Sequence, residues 1–155
     1  MAWLRSTQTR LSQFARLSGP ERMVLVESLL LLPIAVAAQK LLGFARCRAA
    51  LERLVFQREV SPLGTEDLAA EVSRTSRQFV RAARYCPCPT TCMHRSLVLW
   101  WLLRRRGIAS RLWIGVQKEA GQFEAHAWVE CLGLVLIDPE SLHRRFVPFP
   151  RPVLV

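Results

Sequence analysis

TTCMHRSLVLWWLLRRRGIASRLWIGVQ, residues 90–117, changes its texture once. As far as Arg106 it reads as a helix. Thr90 or Thr91 can cap it, and the body is nearly all apolar. Arg104, Arg105 and Arg106 suit the negative end of the helix dipole, and Gly107 suits the left-handed stop. An apolar helix of this kind belongs in a core. Beyond Gly107, Leu112, Ile114 and Val116 alternate with other residues, which is the period of a strand. Helices end where strands begin.

The flanks agree. Downstream, KEAGQ reads as a turn around Gly121 and FEAHAWVEC as a second strand. Phe123, Ala125, Ala127, Val129 and Cys131 share one face of it; Glu124, His126, Trp128 and Glu130 share the other. LVLID reads as a third, short strand, and the basic, Pro-rich tail from Pro139 as irregular chain. Upstream, Ser18-Gly19-Pro20-Glu21 has the form of a capping box opening a helix to about Leu42, with Gly43 as its stop. A second helical stretch runs from Ala45 to about Gln57, and Ser61-Pro62-Leu63-Gly64 reads as a turn. Thr65 then caps a helix with Leu68, Val72, Phe79 and Ala83 on one stripe. Pro87 and Pro89 break the pattern after Tyr85. Helices first and strands afterwards make this an α+β chain: a helical region over 1–85 and a core over 86–155, forming one compact domain.

A chain of 155 residues, half of them apolar, is long enough to bury a real core and too apolar for disorder. The net charge of +10 favours an acidic partner: a nucleic acid, a membrane surface or an acidic peptide. Its arginines are scattered along helices with no Lys-rich or aromatic-interleaved tract, which argues against nucleic acid. The five cysteines are an odd number, and the opening residues lack a continuous apolar run. Free thiols in a reducing, cytoplasmic compartment fit best. The first twenty residues, rich in Arg, Ser and Thr and without an acid, also have the texture of a transit peptide. Leu4, Leu11, Phe14 and Leu17 at near-helical spacing favour an amphipathic helix instead. Met23–Phe44 is apolar, but Glu27 and Lys40 leave only twelve uncharged residues between them, and Pro33 lies in the middle. A membrane span needs about twenty. A buried helix, or one lying against a partner, is expected.

The chemistry concentrates in CPCPTTCMHRS, residues 86–96. A metal site would draw on Cys86, Cys88, Cys92 and His94, but their spacings do not match paired knuckles and two prolines intervene. A Cys86–Cys88 disulfide would close a very tight ring. Cys92 falls in the first turn of the apolar helix, where free N–H groups and the positive dipole end favour an anion. Taken alone it reads equally well as a buried structural cysteine. A nucleophilic thiol needs a base. His94 lies two residues on and faces elsewhere, and His143 has no ordering partner in view. His126, on the second strand, lies about one supersecondary unit downstream. Glu130 is too far along the same strand to orient it, at about 13 Å. Asp138 is reached by a three-residue loop, Cys131-Leu132-Gly133. With Gly133 in a left-handed bulge position, Glu130 pairs with Leu134 and His126 stands opposite Asp138. A two-residue loop turns Asp138 to the other face.

With its later FEAHAWVECLGLVLID, the quoted stretch resembles the transglutaminase-like leader peptidases of lasso-peptide biosynthesis. These are the catalytic subunits of the split B protein in microcin-type pathways. The resemblance covers roughly residues 86–140 and rests on Cys-Met-His-Arg-Ser-Leu, Arg-Arg-Gly-Ile, Ile-Gly-Val and His-Ala-Trp-Val-Glu. It implies a papain-like or transglutaminase-like core, with the cysteine-bearing helix packed on a small antiparallel sheet. It also implies a Cys92-His126-Asp138 triad with no metal or cofactor. The expected activity is a cysteine peptidase removing the leader from a ribosomally made precursor peptide. The expected partners are that precursor, a small leader-recognition companion protein and an ATP-dependent macrolactam synthetase, with no nucleic acid and no transmembrane segment. Arg104 to Arg106 and the Leu-rich N-terminal helix are the expected contact surface, against simple helix capping for the arginines. Cys86 and Cys88 fall outside the matched pattern. The rivals are an acyl or amide transferase using the same triad, and a zinc-bound or membrane-associated scaffold without activity.

Overall fold

The computed structural model describes residues 17–55, 65–119, 121–139 and 144–155. Among these, four helices precede the strands: α1 Gly19–Leu42, α2 Phe44–Val55, α3 Thr65–Tyr85 and α4 Cys92–Arg105. The strands are β1 Arg111–Glu119, β2 Gln122–Cys131, β3 Leu134–Leu136 and β4 Val147–Pro148, in one antiparallel sheet of order β3-β2-β1-β4. The chain is α+β as expected. The amphipathic stretch Leu4–Leu17, the Ser61–Gly64 turn and His143 lie outside the described residues, Leu17 itself excepted.

Local chemistry sets the helix ends. Ser18 N and Oγ both donate to Glu21 Oε2 at 2.9 Å, and Glu21 N–H donates back to Ser18 Oγ. α1 closes at Gly43, whose φ of 77° is open to glycine at no steric cost. Pro33 is accommodated inside α1 without ending it. By length and composition α1 could cross a membrane. In the fold it buries Val24, Leu25, Ser28, Leu32 and Val36, while Met23, Val26, Leu30, Ile34 and Leu41 stay exposed.

α4 is the centre of the molecule. Leu97, Val98, Leu99, Trp100, Leu102 and Leu103 are all buried. It touches α1, α2 and α3 as well as β1 and β2, so most of its middle turns are covered, with Trp101 partly buried. At roughly 1.5–3 kcal/mol for each fully buried large side chain, this one helix holds much of the apolar stabilisation. Trp100 Nε1 donates to Ser110 O at 3.2 Å, tying the helix to the chain that turns into β1.

The C-terminal arginines serve the fold. Arg105 and Arg106 both pair with Glu27 on α1, at 3.3 and 2.7 Å, and Arg106 also reaches Glu71 on α3 at 3.6 Å. Arg106 Nη1 donates to Leu102 O. Arg106 thus bonds a carbonyl of its own last turn, as a capping arginine does, and both arginines tie α4 to the helices that cover it.

The tail departs from the irregular chain expected. Val147–Pro148 pairs with β1, and beyond it Phe149 N donates to Ile114 O, Leu112 N to Leu154 O and Val153 N to Leu112 O. The prolines at 148, 150 and 152 offer no N–H, but Phe149 and Val153 between and after them do. Burying Phe146 and Leu154 while covering the open edge of β1 outweighs the prolines' poor strand preference.

Glu27→Ala removes the shared anion and leaves the largely buried Arg106 with the Leu102 carbonyl and, as its carboxylate among the described residues, only the more distant Glu71. A loss of about 2–3 kcal/mol of unfolding free energy is expected in urea titration, with little change in m.

Candidate active site

The hairpin from β2 to β3 decides where Asp138 goes. Cys131 pairs with Leu134, Glu130 with Val135 and Val129 with Leu136. The loop is therefore two residues, Leu132 and Gly133, both at positive φ (54° and 75°), as a primed turn requires. The three-residue loop and the Glu130–Leu134 pairing are incorrect. Core burial explains the register: it sets Leu136 beside Val129 on the face against α4, whereas a one-residue slip would turn Leu136 outward.

This register alone would turn Asp138 away from His126. Ile137 reverses that. Its φ is 64°, a rare conformation for a β-branched residue, and β3 ends just before it. Such a conformation costs about 1–3 kcal/mol. Packing of the Ile137 side chain against the core offsets part of it. The break in alternation brings Asp138 back, and Asp138 Oδ2 lies 3.2 Å from His126 Nε2. Both side chains are mostly buried.

Two aromatic rings fix the imidazole. Trp128 stacks on it with ring centres 6.1 Å apart and 18° between planes, and Phe146 tilts against it at 5.1 Å. Opposite His126 on β1 is Gly115. A Cβ there would stand 2.8 Å from Trp128 Cη2 and 2.9 Å from Val147 O. The glycine makes room for the indole that backs the histidine.

Cys92 reaches the same region through α4. Ile114 O accepts from Phe149 on the outer edge of β1, so the Ile114–Ala127 pair exchanges no hydrogen bonds across β1 and β2. Ala127 C=O therefore points to the other edge of β2, past the end of β3. Ser96 Oγ donates to it at 2.9 Å. Cys92 lies one turn before Ser96 on the same stripe of α4, and Ser96 holds that stripe to the strand residue that follows His126. It is a half-buried free thiol at the first helical position. The backbone N–H groups of Cys92 and Met93, in that first turn, have no intrahelical acceptor.

His94 is occupied elsewhere. Thr91 N–H donates to its Nδ1 at 3.1 Å, and Thr91 Oγ1 accepts from His94 N at 3.4 Å. The imidazole replaces the usual acid of a capping box. It is buried, and burial, with the charge of Lys40 second, pushes its pKa below the ordinary value. Cys86 and Cys88 face each other with sulfurs 2.9 Å apart, both as free thiols. That contact, followed by burial, pushes the Cys88 thiol up. Among the described residues no group of three or more His, Cys, Asp or Glu is placed to hold a metal ion.

The structure thus joins His126 to Asp138 and packs the Cys92 helix beside β2. The sequence reading gave no role to Ser96, Gly115, Trp128 or Phe146. A lone Ser in an apolar helix and a Gly inside a strand are signals of a buried hydrogen bond and a close approach. Nothing in a Pro-rich tail signals Phe146.

A family model described as the transglutaminase-like superfamily matches residues 29–151, most of the chain. No match was found among curated proteins or solved structures.

Two outcomes follow from this geometry. Gly115→Ala should displace Trp128 and cost about 1–3 kcal/mol, read as a lower Tm. His94 titration gives a pH dependence. The folded state disfavours a proton that the unfolded chain accepts, so this contribution is full above about pH 6.5. It declines as pH falls from there through the lower folded value. His94→Gln, which keeps a capping acceptor without titrating, should flatten that decline in Tm against pH.

Proposed function

The chain belongs to the transglutaminase-like superfamily, and on that premise we propose that it is a cysteine peptidase with Cys92 as nucleophile, His126 as base and Asp138 as orienting acid. The observation that carries the reading is the His126 Nε2 to Asp138 Oδ2 hydrogen bond beside the helix that begins at Cys92. The carboxylate occupies Nε2, which sets the tautomer and leaves the Nδ1 lone pair for the thiol.

The chemistry is then an acyl transfer in two halves. Nδ1 takes the Cys92 proton as sulfur attacks the scissile carbonyl. The tetrahedral oxyanion forms at the start of α4, where the Cys92 N–H points at it and the helix dipole favours negative charge. Nδ1–H protonates the leaving amine, a thioester remains on Cys92, and water activated by the same imidazole releases the acid. Trp128 and Phe146 hold the ring in one plane throughout.

For the substrate we propose the leader of a lasso-peptide precursor, supported by the resemblance of CMHRSL, RRGI and HAWVE to that group of leader peptidases. In this setting the chain works in the reducing cytoplasm. A small leader-recognition companion delivers the precursor, and an ATP-dependent macrolactam synthetase takes the freed core peptide. The superfamily includes transferases as well as peptidases. A transferase would share every step to the thioester and pass the acyl group to an amine rather than to water.

The test is mass spectrometry of a cognate precursor incubated with the protein, with and without the companion. Cleavage at one bond is expected, abolished in Cys92→Ala and reduced about 10²–10⁴-fold in kcat by Asp138→Asn. Full cleavage by Cys92→Ala would refute the assignment. Transfer to added amines in place of hydrolysis would make the chain a transferase.

A further inference from the structure

A cleft is lined in part by Ile137. It has a volume of about 640 Å³ and runs between the C-terminal half of α3 and the start of α1. Arg77, Arg81 and Arg84 line it together with Ile137, the chain neighbour of Asp138. The arginines lie at i, i+4 and i+7, on one face of α3. Among the described residues Arg81 and Arg84 make no ion pair, although Arg81 is half-buried. The one carboxylate in the cleft is Glu21, which is engaged by the Ser18 cap and by Gln78 Nε2 at 3.3 Å, with Arg77 adding an attractive charge.

A second observation points to a ligand. Gln78 lines the same cleft and is 5% exposed, and its Oε1 has no hydrogen-bond partner. Its amide nitrogen is committed to Glu21, so the oxygen is left as an acceptor. Ser76 Oγ, also lining the cleft, is likewise buried without a partner. Buried polar atoms without partners are costly, and a bound group with N–H donors would satisfy them.

We propose that this cleft binds an acidic stretch of the substrate polypeptide beside the scissile bond, with Arg77, Arg81 and Arg84 on its carboxylates and Gln78 on a backbone N–H. The proposal rests on the peptidase reading in taking the ligand to be the substrate chain. The arginines span about 10 Å of helix, the length of about three extended residues. A bare phosphate would meet the guanidiniums but has no N–H for Gln78 Oε1. An extended peptide supplies both, and Ile137 in the lining stands one residue from Asp138 in the chain.

The experiment uses the full chain carrying Cys92→Ala, so that binding is read without turnover. Fluorescence anisotropy measures a labelled Glu-rich peptide, its Gln-substituted twin and a labelled oligothymidylate. The Glu-rich peptide should bind at least tenfold more tightly than the twin and lose affinity as salt rises. Arg81→Glu should weaken it about 10–100-fold, the worth of one charge-assisted hydrogen bond. Arg53→Glu, an exposed arginine on α2, should change it little. Arg84→Glu, at an exposed position, repeats the test if Arg81→Glu is unstable. Equal affinity for the two peptides, an Arg81→Glu and Arg84→Glu pair that bind like the parent, or tighter binding of oligothymidylate would each overturn the proposal. Acidic-peptide binding in a protein whose wild type cleaves nothing would keep the cleft and remove the peptidase reading.

Discussion

Burial of the apolar middle of α4 is the constraint from which the candidate site follows. A helix with Leu97 to Leu103 almost wholly apolar cannot lie on a surface, so α1, α2 and α3 cover part of it and the sheet covers the rest. Once its middle is fixed in this way its two ends have little freedom. The C-terminal end is tied by Arg105 and Arg106 to Glu27 and Glu71 on the covering helices. The N-terminal end is tied by Ser96 to the free edge of β2. Cys92 inherits its place from those ties, one turn beyond Ser96 and at the electropositive end of the helix.

The acid and base depend on a conflict between two local preferences. Pairing Leu136 with Val129 satisfies the core and by simple alternation would carry Asp138 away from His126. The left-handed Ile137 undoes that in a single residue. Strain at this point places a carboxylate where a regular strand could not. The same residue is part of the lining of the arginine-rich cleft, so the strained position adjoins both the candidate chemistry and the proposed substrate surface. Gly115, Trp128 and Phe146 then hold the imidazole that Asp138 orients.

Much of the framework is legible in the sequence because it is written in local chemistry. The Ser18–Glu21 box, the Thr91 cap and the stops at Gly43 and Gly107 rest on backbone geometry within a few residues. The α+β order and the two faces of β2 follow from a change of period at Gly107. The hairpin register was not legible, because turn preference and core burial disagree there and only the packed core shows which prevails. Ile137 gives no warning, since β-branched residues rarely take positive φ. β4 is hidden by prolines, and with it Phe146. The meeting of His126 with Asp138 was expected from a three-residue loop; the contact is present, but it arises from a two-residue loop and a broken strand.

The most direct test of Cys92 as a nucleophile served by His126 is labelling with a peptidyl chloromethyl ketone, the adduct located by mass spectrometry. The account predicts one adduct, on Cys92, with Cys47, Cys86, Cys88 and Cys131 unmodified, and its loss in a folded His126→Ala variant. Labelling spread over the other half-buried thiols and unchanged in His126→Ala would contradict it.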